Sequence, residues 1–227
     1  MIAVVDYGMG NLSSVRKACE FLGARVRVTS DPKQVAKAGA VILPGVGAFG
    51  EAMAELRRRQ LLEPVKDAIR SGKPFLGLCL GLQLLFDSSE ESPGVKGLGI
   101  LPGRVRRFPR FKSLKVPHMG WNQIHRFPSS PRKRGSDSRS SIAGEEKFRE
   151  NALLRDIPDG AFAYFVHSYY AEPDLQDCVA AKTHYGRWFP SIVWNSANVW
   201  ATQFHPEKSQ KWGLKILKNF LTVVPGA

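Results

Sequence analysis

The segment Lys73-Pro-Phe-Leu-Gly-Leu-Cys-Leu-Gly-Leu-Gln83 constrains this chain more than any other. An apolar run, Phe75–Leu78, ends in a Gly-x-Cys-x-Gly turn, and a helix-like segment, Leu82 to Phe86, follows. Gly77 and Gly81 carry no Cβ, so the chain can turn sharply and a helix can pack close to the strand. This is the strand–turn–helix pattern of a nucleophile elbow, with sulfur in place of the serine oxygen. The turn predicts a thiol, Cys79, at the first turn of the next helix. Unpaired N–H groups and the helix dipole there favour thiolate, the reactive form. The N–H of Leu80 points into the same space and is a candidate oxyanion donor. Taken alone, the turn also fits a small buried cysteine.

A second segment decides between those readings. Near the C-terminus the chain reads Val199-Trp-Ala-Thr-Gln-Phe-His-Pro-Glu-Lys-Ser209. An apolar strand runs into His205, and Glu207 stands two residues on. A cysteine nucleophile needs a base, and the base needs an orienting carboxylate. In an extended segment residues i and i+2 point to the same side, so Glu207 can reach the far nitrogen of His205. Pro206 fixes φ between them. Cys79, His205 and Glu207 together make a nucleophile, base and orienter.

The segments Gly77–Gln83 and Gln203–Ser209 resemble the signature of class I (triad) glutamine amidotransferase domains. Within that class the chain resembles the glutaminase subunits of imidazole glycerol phosphate synthase, from histidine biosynthesis. Four stretches carry the narrower likeness: Asp6-Tyr-Gly-Met-Gly-Asn11, Leu43-Pro-Gly-Val-Gly-Ala-Phe49, Val116-Pro-His-Met-Gly-Trp-Asn122 and Tyr164-Phe-Val-His-Ser-Tyr-Tyr170. The resemblance covers nearly all of the chain except about 127–150.

The resemblance implies hydrolysis of glutamine through a cysteine thioester. It places the second oxyanion donor in the Pro44-Gly-Val-Gly47 loop, at Val46 or Gly47. It implies Gln83, Glu91, Tyr164, Ser168 and Tyr169 as glutamine-binding residues, with Glu91 facing the α-ammonium and backbone N–H groups near Ser168 the carboxylate. It also implies a (β/α)8 barrel cyclase as heterodimer partner and receiver of the ammonia. Pro117, Met119, Trp121, Asn122 and Lys208 are the expected contacts with it. No cofactor and no metal are called for.

Strands and helices alternate along the first half. Strands are expected at Ile2–Val5, Arg25–Thr29, Val41–Leu43 and Phe75–Leu78. Helices are expected at Ser13–Leu22, Phe49–Arg59, Glu63–Ser71 and Leu80–Ser88. Such alternation implies a parallel sheet covered on both faces. The second half is richer in strands: Gly103–Phe108, Ala161–Val166, Val179–Thr183, Ile192–Trp194 and Val199–Gln203. Lys211–Leu221 closes as an amphipathic helix. The expected fold is one α/β domain over residues 1–227. Its mostly parallel central sheet has helices on both faces and an antiparallel extension, the arrangement the family resemblance also implies.

With 227 residues, 43% of them hydrophobic, the chain can bury one sizeable core. Three cysteines make no disulfide framework, and none pairs at zinc spacing. Cys19 is read on an amphipathic helix and Cys178 in an apolar strand, both structural. The N-terminus shows no basic n-region and no long apolar stretch, so the expectation is a cytoplasmic protein without signal peptide or membrane span. Gly8-x-Gly10 is not a dinucleotide fingerprint. The third glycine position is Ser13, and Asp31, before Pro32, reads as a turn residue.

The formal net charge is +13. Gly103–Lys115 holds six basic residues and no acid, and a second basic cluster spans Arg126–Arg139. No nucleic-acid module or interleaved aromatics accompany them, so a solvated rim and a flexible loop are preferred over nucleic-acid binding. Ser129–Ser141, rich in Ser, Arg, Gly and Pro, has too few apolar residues for a core. It marks an insertion at about 127–150. Three rival functions remain on sequence alone: an amidotransferase serving another synthase, a cysteine peptidase-like α/β protein, and a non-catalytic binding module.

Overall fold

The computed structural model describes residues 1–110, 112–127 and 151–226. The Ser/Arg-rich insertion therefore lies outside the described residues. The chain runs β1 (Ile2–Val5), α1 (Leu12–Phe21), β2 (Val26–Thr29), α2 (Pro32–Lys37), β3 (Ala40–Gly45), α3 (Phe49–Arg58), α4 (Leu62–Arg70), β4 (Phe75–Cys79) and α5 (Leu80–Gln83). It continues through β5 (Ser88–Ser89), β6 (Gly103–Arg107), β7 (His118–Arg126), β8 (Ala161–His167) and β9 (Tyr169–Pro173). It ends with β10 (Val179–His184), β11 (Trp188–Trp194), β12 (Val199–Thr202) and α6 (Gln210–Leu221).

Among the described residues, nine strands form one sheet in the order β2-β1-β3-β4-β12-β11-β10-β7-β8. The first five are mutually parallel and the rest antiparallel. The α/β architecture with an antiparallel extension is as expected. The inner strands β1, β3 and β4 are apolar and buried at every position because each buries both faces, whereas edge strand β2 exposes Arg27. Ile2 and Val4 of β1, with Ala40 and Ile42 of β3, join the core under α1 and α6. Val5, Val41 and Leu43 enter the opposite core, under α3 and α4.

Several expectations are corrected. Asp31 is the N-cap of α2, accepting a 2.9 Å hydrogen bond from the Lys33 N–H, with Pro32 at the first helical turn. α2 went unseen because only Val35 of its six residues is buried, too few to show a period. β7 also escaped hydropathy. It alternates inward and outward, but polar His118 and Asn122 stand on its inward side. The elbow helix is one turn, not Leu80–Ser88. Backbone N–H groups of Leu98 and Ile100 take the carbonyls of Leu84 and Leu85, which a longer helix would use. Cys178 ends a 3-10 turn, Gln176–Cys178, just before β10. The basic Gly103–Lys115 run is partly neutralised from outside: Glu172 meets Arg104 and Arg106, and Glu90 meets Arg106. Within this segment Arg104 and Arg106 form a rim of paired charges.

Candidate active site

Three adjacent parallel strands deliver the site at their C-terminal ends. Gly45 of β3 lies in register with Cys79 of β4, and Leu78 with Thr202 of β12. The Pro44–Gly47 loop, Cys79 and His205 thus leave the sheet side by side, where open α/β sheets place their ligands.

Cys79 adopts φ 52° and ψ −104°, a left-handed conformation rare for a residue with a side chain. Such strain costs on the order of 1–3 kcal/mol and persists only where packing enforces it. Here the two glycines permit that packing. A Cβ on Gly81 would collide with the Leu43 carbonyl oxygen, and one on Gly77 would sit 2.6 Å from the Gly81 carbonyl oxygen. Because α5 has only four residues, its dipole supports the thiolate less than a full helix would.

Behind the thiol stands the His–Glu pair. His205 Nδ1 is 2.9 Å from Glu207 Oε1. The contact does not come from an extended i, i+2 arrangement, as expected, but from a 3-10 turn at Pro206–Lys208 that folds Glu207 back. Ser209 braces this turn. Its hydroxyl donates to the His205 carbonyl at 2.6 Å and accepts from the Tyr164 N–H at 2.9 Å. Burial alone lowers the His205 pKa, but interactions with Cys79 and Glu207 outweigh it and raise it to about 10. Hydrogen bonding toward Cys79 is the largest of the raising interactions, yet His205 Nε2 makes no hydrogen bond of good geometry, so that contact is a loose one. Loose nucleophile–base contacts are usual in sites without substrate.

In front of the thiol opens a cavity of about 300 Å³. It brings together Cys79, Leu80, Val46, Gly47, Gln83, Glu91, Ser168 and Tyr169. Tyr164 does not reach it; its ring lies 6.0 Å from that of Trp121, on the outer side of β7 and β8. Glu91 carries a second duty, accepting the Phe49 N–H at the start of α3 through Oε2 at 2.7 Å. Of the expected partner contacts, Pro117, Met119, Trp121 and Lys208 are exposed. Asn122 turns inward, donating to the His184 carbonyl at 2.9 Å.

Three polar residues here were not singled out from sequence. Gln203 Nε2 lies 3.8 Å from the Cys79 sulfur, and its Oε1 accepts from Gln83 Nε2 at 3.3 Å. His167 lines the cavity, and His118 is bonded behind it. The one available signal for Gln203 was its parity with His205 on the same strand end. Among the described residues, no group of three or more His, Cys, Asp or Glu is placed to hold a metal ion. No helix among them is long and apolar enough to cross a membrane.

Comparison with known proteins agrees with this geometry. The family described as Glutamine amidotransferase class-I matches residues 3–224. The chain belongs to that family. It is an enzyme of the amidotransferase type, and it is 50% identical over 225 residues to "Imidazole glycerol phosphate synthase subunit HisH" of Syntrophotalea carbinolica, covering 97% of this chain and 98% of that protein. The subunit of the same name from Geobacter metallireducens is 48% identical over 224 residues, covering 96% of each. Among solved structures, one described as a glutamine amidotransferase superposes with TM-score 0.68 at 18% identity, covering 98% of both chains. PurLQS from Thermotoga maritima gives TM-score 0.69 at 17% identity over 97% of both chains. At that identity these two speak for the fold alone.

Proposed function

We propose that this chain is the glutaminase subunit of an imidazole glycerol phosphate synthase. It hydrolyses glutamine to glutamate and ammonia and passes the ammonia to a (β/α)8 barrel cyclase for histidine biosynthesis. The observation that carries the chemistry is the cavity at the ends of β3, β4 and β12, which has Cys79 on its wall and the oxyanion loop beside it. The likeness to named subunits over nearly the whole chain supports the pathway.

Thiolate Cys79 attacks the side-chain amide carbon of glutamine. The developing oxyanion takes the N–H of Leu80 and one from Val46 or Gly47. His205 protonates the departing ammonia, then draws a proton from the water that hydrolyses the thioester. Glu207 orients the ring throughout. Gln83, Glu91, Ser168 and Tyr169 line the cavity and serve the glutamine backbone, Glu91 meeting the α-ammonium. Tyr164 belongs instead to the outer face. There Met119, Trp121 and Phe162 are exposed, an apolar patch of the kind that marks an interface. This face and Lys208 are where the cyclase docks.

The test is glutamine hydrolysis by the purified chain, alone and with its cyclase and acceptor ligand. Low turnover alone and strong stimulation in the complex are expected. Equal rates remove the partner-gated part of this reading. No hydrolysis under either condition removes the reading itself.

A further inference from the structure

His118 and His167 face each other across the β7–β8 ladder on its buried side. Their hydrogen bonds leave one consistent arrangement of protons. His167 Nδ1 is 2.8 Å from the Tyr169 carbonyl, which can only accept, so Nδ1 carries the proton. His167 Nε2 is then a lone pair, and His118 Nδ1, 3.2 Å away, donates to it. That leaves His118 Nε2 to accept from Asn122 Nδ2 at 3.2 Å. The amide orientation fits, because Asn122 Oδ1 accepts the Gln123 N–H at 2.8 Å. Both rings are neutral in this chain. Burial holds them so, lowering His118 to about 4 and His167 to about 3.

The chain of bonds runs on into the cavity. The Tyr169 carbonyl also accepts from Gln83 Nε2 at 2.9 Å. Gln83 Nε2 reaches Gln203, and Gln203 reaches the Cys79 sulfur. Neither histidine is within hydrogen-bonding distance of the thiol, and neither is needed for proton transfer.

We propose that His118 and His167 are positioning residues for glutamine. By holding the Tyr169 carbonyl, they fix Gln83 and the 166–169 wall of the cavity in the geometry that receives the substrate. This rests on reading the cavity as the glutamine site. A buried polar pair costs stability unless every member is satisfied, and here each atom has its partner. Apolar residues would fill the same space more cheaply, but they could not carry the bond to Tyr169.

Two substitutions separate the two ends of His118. In H118N the amide stands near the place of Nδ1 and keeps the donor to His167. In H118Q the amide stands near the place of Nε2 and keeps only the bond to Asn122. Both lose the ring stacking on Phe165 and Tyr185, so both lose similar thermal stability. The measurement is glutamine KM and kcat in the complex with cyclase, beside the melting temperature and ammonium-dependent synthesis. H118Q should raise KM about tenfold, the effect of one lost hydrogen bond. H118N should raise KM less than about threefold, with kcat and ammonium-dependent synthesis held in both. Equal KM effects in the two variants, or KM unchanged in H118Q, overturn the proposal. Wild-type complex that synthesises from ammonium but ignores glutamine overturns the glutamine reading of the cavity, and this proposal with it.

Discussion

Glu207 Oε1 and His205 Nδ1 meet at 2.9 Å with side chains 1% and 4% exposed, so the hydrogen bond is shut away from water. Little solvent competes for either group, and the bond holds the ring in one orientation. Its Nε2 is left for Cys79, the proposed nucleophile. The parallel pairing of β4 and β12 sets where Cys79 and His205 emerge, and the 3-10 turn sets which way Glu207 points.

That bond has a consequence for stability against pH. The His205 pKa rises from its unfolded value to about 10, so its contribution is fully present below the unfolded pKa, near 6.5, and is lost as pH rises to 10. Glu207→Gln removes one of the groups that raise it. The melting temperature of the wild type should therefore fall more steeply than that of the variant between about pH 6.5 and 10. Calorimetry across that range checks it; parallel curves would refute the assignment.

Alkylation should separate Cys79 from Cys19. Cys79 lines the cavity, whereas Cys19 is fully buried on α1 and burial, with Glu207 and Glu20 nearby, pushes its pKa up to about 12. A glutamine-like diazo-ketone should label the chain once, at Cys79, as read by peptide mapping. Cys79→Ala should abolish glutamine-dependent synthesis and leave ammonium-dependent synthesis intact. Adding His205→Ala should cost little more, because the residues act as a unit.

The elbow glycines admit no side chain. Gly81→Ala drives a Cβ into the Leu43 carbonyl, and Gly77→Ala brings one within 2.8 Å of the Gly81 carbonyl carbon. Backbone cannot move aside as a flexible side chain can. Each substitution should destabilise by about 3 kcal/mol or more, at or above the upper end of ordinary overpacking. Denaturant unfolding gives the value, and a loss below about 0.5 kcal/mol counts against this packing.

Ser209 links two elements of the site through one hydroxyl. Ser209→Ala leaves the Tyr164 N–H and the His205 carbonyl without that partner, at a cost of about 1–3 kcal/mol. The turn carrying Glu207 should loosen as well. The expected signature is a fall in glutaminase kcat with glutamine KM nearly unchanged, measured in the complex with cyclase.

Sequence by itself determined the local features here. The elbow glycines, the apolar parallel strands, the strand-end His-x-Glu and the Pro-Gly-Val-Gly loop each rest on short-range chemistry, and each was legible. Eight of the residues expected around the substrate do meet at one cavity. What tertiary structure decided was direction and partnership. Tyr164 and Val166 share a face of β8, yet Val166 reaches the cavity and Tyr164 packs beside Trp121. Asn122 carries a polar side chain, as a surface residue does, but the β7 alternation turns it inward to His118. The two buried histidines gave no hydropathy signal, because hydrogen bonds across β7 and β8 satisfy them where apolar packing otherwise fills a core. Such long-range pairings depend on which strands become neighbours, and no window of a few residues contains that information.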